Sequence, residues 1–265
     1  LLVGGMSTEL EEICQSYQPC VIEPCSYLVA FSGVLTLRFR GFPPQLIRLK
    51  EQVRDSYGGL AKEGPGSLWP KSTLGALADG KRLDREALKV LQQLCAEGEK
   101  RLQSLALKLP IDVLSLVFYE CRSLERRLMT SPLPLAKDGV RDTAPPVEED
   151  LRRSLRTQEE TLEDGYWEKA AGDGNREPHY RSPNLGSTLV WDFGKLEIEP
   201  VRKLLEELKA FREEVTKALP GYYLFFDETA LHVCFHCENE AAQLDESENE
   251  PLRKLETVPK CSEEG

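Results

Sequence analysis

Apolar and polar residues alternate with period two in several stretches, and two of these successions share an order: strand, proline-opened helix, glycine, strand. In Val34–Phe39, Leu35, Leu37 and Phe39 fall on one side while Thr36, Arg38 and Arg40 fall on the other, which predicts a half-buried strand. Pro43-Pro44 then sets the first turn of a helix carrying Leu46, Leu49 and Val53 on one face, and Gly58-Gly59 stops it. After a polar Gly/Pro loop at Lys62–Gly66, Leu68–Leu77 returns as a strand whose start Pro70 confines to an edge or strand end. The second succession runs from a strand at Thr188–Phe193 into a helix opened by Pro200, with Val201, Leu204, Leu205, Leu208, Phe211 and Val215 along one face. Pro220-Gly221 ends it, and Tyr222–Phe226 and Leu231–His236 follow as strands about a bend at Asp227-Glu228.

The remaining pattern is weaker. Ser7–Gln15 predicts a short helix, with Thr8 and Glu11 spaced as a capping box. Tyr27–Phe31 is strand-like, and Asp84 caps a helix faced by Leu88, Leu91 and Cys95. Leu105, Leu107 and Leu109 alternate ahead of the apolar run Val113–Tyr119, predicting a hairpin, and Arg122, Arg126 and Arg127 then form a solvated basic edge. From Pro132 to Gly186 the apolar period fades into a charged insertion, helical around Glu148–Leu162, that serves as a boundary or a mobile lid. Beyond Cys237 the chain is acidic and poor in apolar residues, as a disordered tail is. The resulting division is an N-terminal extension (1–25), a first lobe (26–131), the insertion (132–185), a second lobe (186–237) and the tail (238–265). The fold class expected is α+β, with two pseudo-symmetric lobes of antiparallel sheet and flanking helices about a central cleft.

Charge alters this picture little. The net charge is −11, but the acidic excess is concentrated in 137–181 and 238–265, which leaves the folded part near neutrality and free to present a local basic groove. Eight cysteines lie far apart with no dense framework, which predicts reduced thiols and an intracellular, cytoplasmic location. No apolar run approaches the roughly 18 residues of a membrane span, so no membrane association is expected.

In a strand, residues i and i+2 share a face, so Lys71 with Thr73, and His232 with Cys234, each present a pair to one side of a sheet. Pro70-Lys71-Ser72-Thr73-Leu74-Gly75 and Leu231-His232-Val233-Cys234-Phe235 stand where the two H-x-T motifs lie in the two-histidine phosphoesterases, a family that includes RNA 2′,3′-cyclic phosphodiesterases and 2′-5′ RNA ligases. Over Tyr27–Leu128 and Gly186–His236 the chain resembles a divergent member of that family. The resemblance implies a hydrolase of RNA processing that acts on a cyclic nucleotide or an RNA terminus and needs no cofactor. By it, His232 is the catalytic acid or base, Thr73 a catalytic hydroxyl on the phosphate, and Lys71 and Cys234 bind phosphate. Both motifs depart from the family pattern: lysine is ordinarily a cation and so clamps a phosphate more readily than it takes a proton. Cysteine is a weak hydrogen-bond donor beside threonine. A non-catalytic phosphate- or RNA-binding module using the same cleft, or a scaffold acting through its charged insertion, are the alternatives.

His232, Cys234, His236 and Cys237 are also ligand types that zinc prefers. In a continuous strand Cys237 faces away from the other three and no second ligand pair follows, so no metal is expected. The C-x-x-C does not open a helix, as a thioredoxin-type motif would. No phosphate-binding glycine loop, dinucleotide fingerprint, nucleophile elbow or kinase signature is present.

Overall fold

A computed structural model describes residues 2–30, 33–57, 68–137, 140–160, 163 and 176–237. Along the chain these form α1 (Leu2–Gln15), β1 (Cys20–Ile22), β2 (Pro24–Ala30), β3 (Val34–Phe39), α2 (Pro44–Ser56), β4 (Lys71–Leu77) and α3 (Arg85–Leu105). There follow β5 (Leu109–Ile111), β6 (Val113–Tyr119), β7 (Arg127–Pro134), α4 (Glu148–Glu160), α5 (Glu177–Arg181), β8 (Gly186–Trp191), α6 (Glu199–Ala218), β9 (Tyr223–Phe225) and β10 (Val233–Cys237). The fold is α+β, and its described strands build three antiparallel sheets ordered β1-β5, β2-β3-β4-β9 and β10-β8-β6-β7.

The proline-opened helices form as their sequences require. Pro44 and Pro200 occupy the first turns of α2 and α6, where a missing N–H breaks no intrahelical bond. Asp84 caps α3 by accepting from the Ala87 N–H at 2.8 Å. Each of these helices buries an apolar stripe: Leu46, Leu49 and Val53 in α2, Leu88, Leu91 and Leu102 in α3, and Val201, Leu204, Leu208, Phe211 and Val215 in α6. One continuous buried cluster receives all three stripes and runs through both four-stranded sheets. Within it Tyr27 of β2 stacks on Phe211 of α6 at 3.8 Å, Phe39 of β3 meets Trp191 of β8 edge-on, and Phe42 meets Phe235 of β10.

The strands pair across the expected lobes. β9 joins β4, while β6 and β7 join β8 and β10, so each large sheet takes strands from both 26–131 and 186–237. Within each sheet one strand order is nevertheless common, β2-β3-β4 in one and β6-β8-β10 in the other; of the described elements a proline-opened helix alone joins β3 to β4, whereas α6 and then β9, a strand of the other sheet, lie between β8 and β10.

Several local expectations change. Thr8 lies inside α1, which begins at Leu2, and so does not cap it. Leu105 is the last residue of α3, and Leu109–Ile111 pairs with β1; the hairpin is β6-β7, because Arg127–Pro134 continues as strand past the expected linker boundary. Arg127 is not a solvated edge charge: it forms a two-pronged ion pair with Asp192, and both side chains are nearly buried. The insertion contributes α4 and α5, and Arg181 of α5 is fixed by Glu125 and by the Phe225 carbonyl. The expected stop at Gly58-Gly59, the loop 62–66 and the tail 238–265 lie outside the described residues.

Candidate functional site

Strand register defines one side of the β2-β3-β4 sheet as a polar patch. Arg38 of β3 stands directly opposite Lys71 of β4, and Thr36 directly opposite Thr73. Ser26 of β2 is the next neighbour of Arg38 and accepts from its Nε at 2.8 Å. The opposite side of the same strands, with Tyr27, Leu37 and Leu74, belongs to the core. Ser72 alternates onto that core side, where its Oγ is buried without a hydrogen-bond partner.

Lys71 is half-buried, with Nζ 4.7 Å from the centre of the Trp69 ring. Among the described residues no carboxylate pairs with Lys71 or with Arg38. Burial alone pulls the Lys71 amine down from 10.5 to about 8, because low-dielectric surroundings disfavour the ammonium form. Two basic side chains that face one another on adjacent strands repel when both are charged. The patch therefore gathers positive charge that no ion pair among the described residues neutralises.

His232 immediately precedes β10, which begins two residues later than the sequence predicts. A single helical turn at Glu228–Ala230 turns the chain so that His232 Nδ1 lies 2.8 Å from the Ala230 carbonyl. A carbonyl only accepts, so Nδ1 carries the hydrogen and the neutral ring keeps its lone pair on Nε2. Burial is the largest influence on this imidazole and lowers its pKa; the Ala230 carbonyl and Asp192 oppose that shift, while Arg127 adds to it. The ring is thus held neutral at physiological pH.

Cys234 lies within β10, opposite Val190 of β8. Its sulfur is disulfide-bonded, with Thr188 Oγ1 3.2 Å away. In that state it has no S–H to offer a phosphate oxygen, and the hydroxyl beside it belongs to Thr188. Five other cysteines, Cys14, Cys20, Cys25, Cys95 and Cys121, are free thiols. Among the described residues no cluster of three metal-ligand side chains occurs. The side chains of His236 and Cys237, the other half of the zinc-like constellation, lie outside what is described.

The two motif strands belong to different sheets, and β4 and β10 are in contact. No hydrogen bond or ion pair joins Lys71 or Thr73 to His232. Sequence reasoning overlooked Arg38 and Thr36. Their signal was the polar half of the alternation in Val34–Phe39, which was read only as a half-buried strand; Arg38 is in fact 6% exposed. It also overlooked the Arg127–Asp192 pair whose field acts on His232. No family model, curated protein or solved structure matches the chain.

Proposed function

We propose that the protein is a divergent phosphoesterase that opens 2′,3′-cyclic phosphates of nucleotides or RNA ends, with Lys71, Thr73 and His232 in one site. The observation that carries this reading is the pairing of Arg38 with Lys71, two basic groups with no carboxylate paired to them among the described residues, beside the pair Thr36 and Thr73 on the same side of the sheet. A phosphate ester supplies negative charge to this pair and accepts from Lys71 and Thr73; the Thr36 hydroxyl is buried and donates to the Val34 carbonyl. Support comes from the common strand order β2-β3-β4 and β6-β8-β10: Lys71 opens β4, His232 immediately precedes β10, and those two strands are in contact.

In this reading neutral His232 takes a proton from an attacking water through Nε2. The water oxygen bonds to phosphorus, and the bond to the ribose 2′ or 3′ oxygen breaks. The leaving oxygen takes its proton from the Lys71 ammonium, whose lowered pKa makes it a better acid than an exposed lysine. Thr73 donates its hydroxyl to a non-bridging oxygen. Solvent then returns the proton from imidazolium to amine. The test is hydrolysis of 2′,3′-cyclic nucleotides by the wild type and by His232→Ala: a loss of about a hundredfold or more is expected for a proton-transfer residue. Equal rates in the two proteins would remove the catalytic role.

A second reading keeps the anion site without turnover, and the disulfide at Cys234 favours it, because the hydrogen-bond donor of the second motif is absent. It predicts saturable, salt-sensitive binding that Lys71→Ala weakens, with no product formed.

A further inference from the structure

Helix α4 comes from the charged connection between β7 and β8, two strands of one sheet, yet it packs over the polar side of β3 in the other. Its buried residues are Asp150 and Ser154, and none of its apolar side chains is buried; Leu155 is 49% exposed. The other long helices of the core dock through apolar stripes, whereas α4 docks through polar contacts. Ser154 Oγ donates to the Phe39 carbonyl at 2.7 Å and accepts from Arg38 Nη1 at 2.9 Å. Gln158 Oε1 accepts from Arg38 Nη2, and its amide nitrogen donates to Glu99 at 3.0 Å. With Ser26 on Nε, three neutral oxygens hold the guanidinium that stands opposite Lys71.

We propose that Arg38 is the second cation of the phosphate site, and that Ser154 and Gln158 of α4 stand in for ligand oxygens, so that an incoming phosphate ester competes with α4 for the guanidinium. The inference rests on the phosphate reading of Lys71. Its chemistry favours exchange. A guanidinium bonds an anionic oxygen more strongly than a neutral hydroxyl or amide oxygen, because both partners then carry charge, and the planar fork that now spans Ser154 and Gln158 fits two phosphate oxygens side by side. Helix α4 buries little apolar area, Leu151 being part-buried and Leu155 largely exposed, so lifting it forfeits little of that kind. Beside Gln158 there is also room: a cavity of about 490 Å³ between α3 and β2, bordered by Gln92, Glu99 and Gln158, lets that side chain leave Arg38 without moving the sheet.

The experiment measures binding of inorganic phosphate and of adenosine 2′-monophosphate by calorimetry to the full chain and its variants. Gln158→Ala and the double variant Ser154→Ala/Gln158→Ala are expected to bind about tenfold more tightly than wild type, since a charge-assisted contact to the competitor is gone. Arg38→Gln is expected to bind more weakly and, combined with Gln158→Ala, to erase the gain. Should Arg38→Gln fail to fold, hydrogen exchange on the wild type decides: amides of 148–160 exchange faster when ligand is added if α4 is displaced. Unchanged or weaker binding by the Gln158 variants, with Lys71→Ala still abolishing binding, overturns the role of α4 and leaves the phosphate site standing. Exchange in α4 that slows or stays constant on saturation does the same. Binding that Lys71→Ala leaves intact, or no binding by any variant, removes the phosphate site and this inference with it.

Discussion

Replacing Lys71 by methionine should make the protein more stable and, on the phosphate reading, abolish its ligand binding. Folding buries the Lys71 amine, and burial moves its pKa from 10.5 to about 8. At about 1.4 kcal/mol per unit, a displacement of that size means that holding the ammonium in the fold costs on the order of 3 kcal/mol at pH 7. Methionine keeps an unbranched apolar stem against Trp69 and carries no charge. It forfeits the amine's contact with that ring, worth about 0.5–1 kcal/mol at such a site. The net expectation is a gain of about 1–3 kcal/mol at neutral pH.

The sign of the pH dependence follows from linkage. Below about pH 8 both the folded and the unfolded chain carry the proton, and the full burial penalty is present. Between about pH 8 and 10.5 the unfolded chain still holds a proton that the folded chain has lost, so wild-type stability rises with pH through this window. The advantage of Lys71→Met must therefore shrink over the same interval and vanish above it. Urea unfolding of both proteins at several pH values from 7 to 10.5 measures the difference, in which other titrating groups cancel. A variant less stable than wild type at pH 7, or a difference that stays constant with pH, refutes the account of the buried amine.

Two further substitutions probe how the site is held. Gly98 of α3 lies so close to β2 that an added Cβ would sit 2.7 Å from the Tyr27 ring, with Phe211 behind it; Gly98→Ala should destabilise by about 1–3 kcal/mol in urea unfolding, and an unchanged midpoint would mean that the stack yields. Asp192→Ala leaves Arg127, 11% exposed, without its carboxylate, and should cost about 3–5 kcal/mol. Because Asp192 raises the His232 pKa while Arg127 lowers it, the same substitution should move the His232 titration to lower pH by NMR, and a shift to higher pH would overturn this electrostatic picture.

What the sequence disclosed divides along a physical line. Features set within about fifteen residues were legible: proline at the first turns of α2 and α6, the apolar stripes Leu46-Leu49-Val53 and Val201–Val215, the Asp84 cap, and the extent of β3, though its polar side is buried where a half-buried strand was expected. Features set by distant partners were not. Nothing in Tyr223–Phe225 says that it pairs with β4, about 150 positions earlier, and nothing in Leu105–Leu109 separates the end of a helix from the start of a strand. Nor does any local pattern reveal that Arg127 is neutralised by Asp192, or that Arg38 is held by Ser154 across 116 positions. The tautomer of His232 depends on a carbonyl only two residues away, yet it required the turn at Glu228–Ala230 to be seen.

The anion site and the catalytic site accordingly rest on different observations and can be lost separately. Catalysis needs His232 Nε2 and Lys71 Nζ to reach one phosphorus atom from two sheets, and it is this step that the cyclic-nucleotide assay addresses. Anion binding needs only the side of one sheet, where register alone sets Arg38 opposite Lys71 and Thr36 opposite Thr73. That side is also where stability is spent: a half-buried amine with no ion-pair partner among the described residues faces a guanidinium satisfied by neutral oxygens. A hydrophobic residue at position 71 would fold better, and a carboxylate at position 36 or 73 would neutralise the pair. Bound phosphate does what that carboxylate would, favouring the Lys71 ammonium and raising its pKa toward the ordinary value. Saturating phosphate at pH 7 should therefore stabilise the wild type and leave Lys71→Met unmoved, narrowing the gap between them. Equal stabilisation of both proteins would place the anion elsewhere on the molecule.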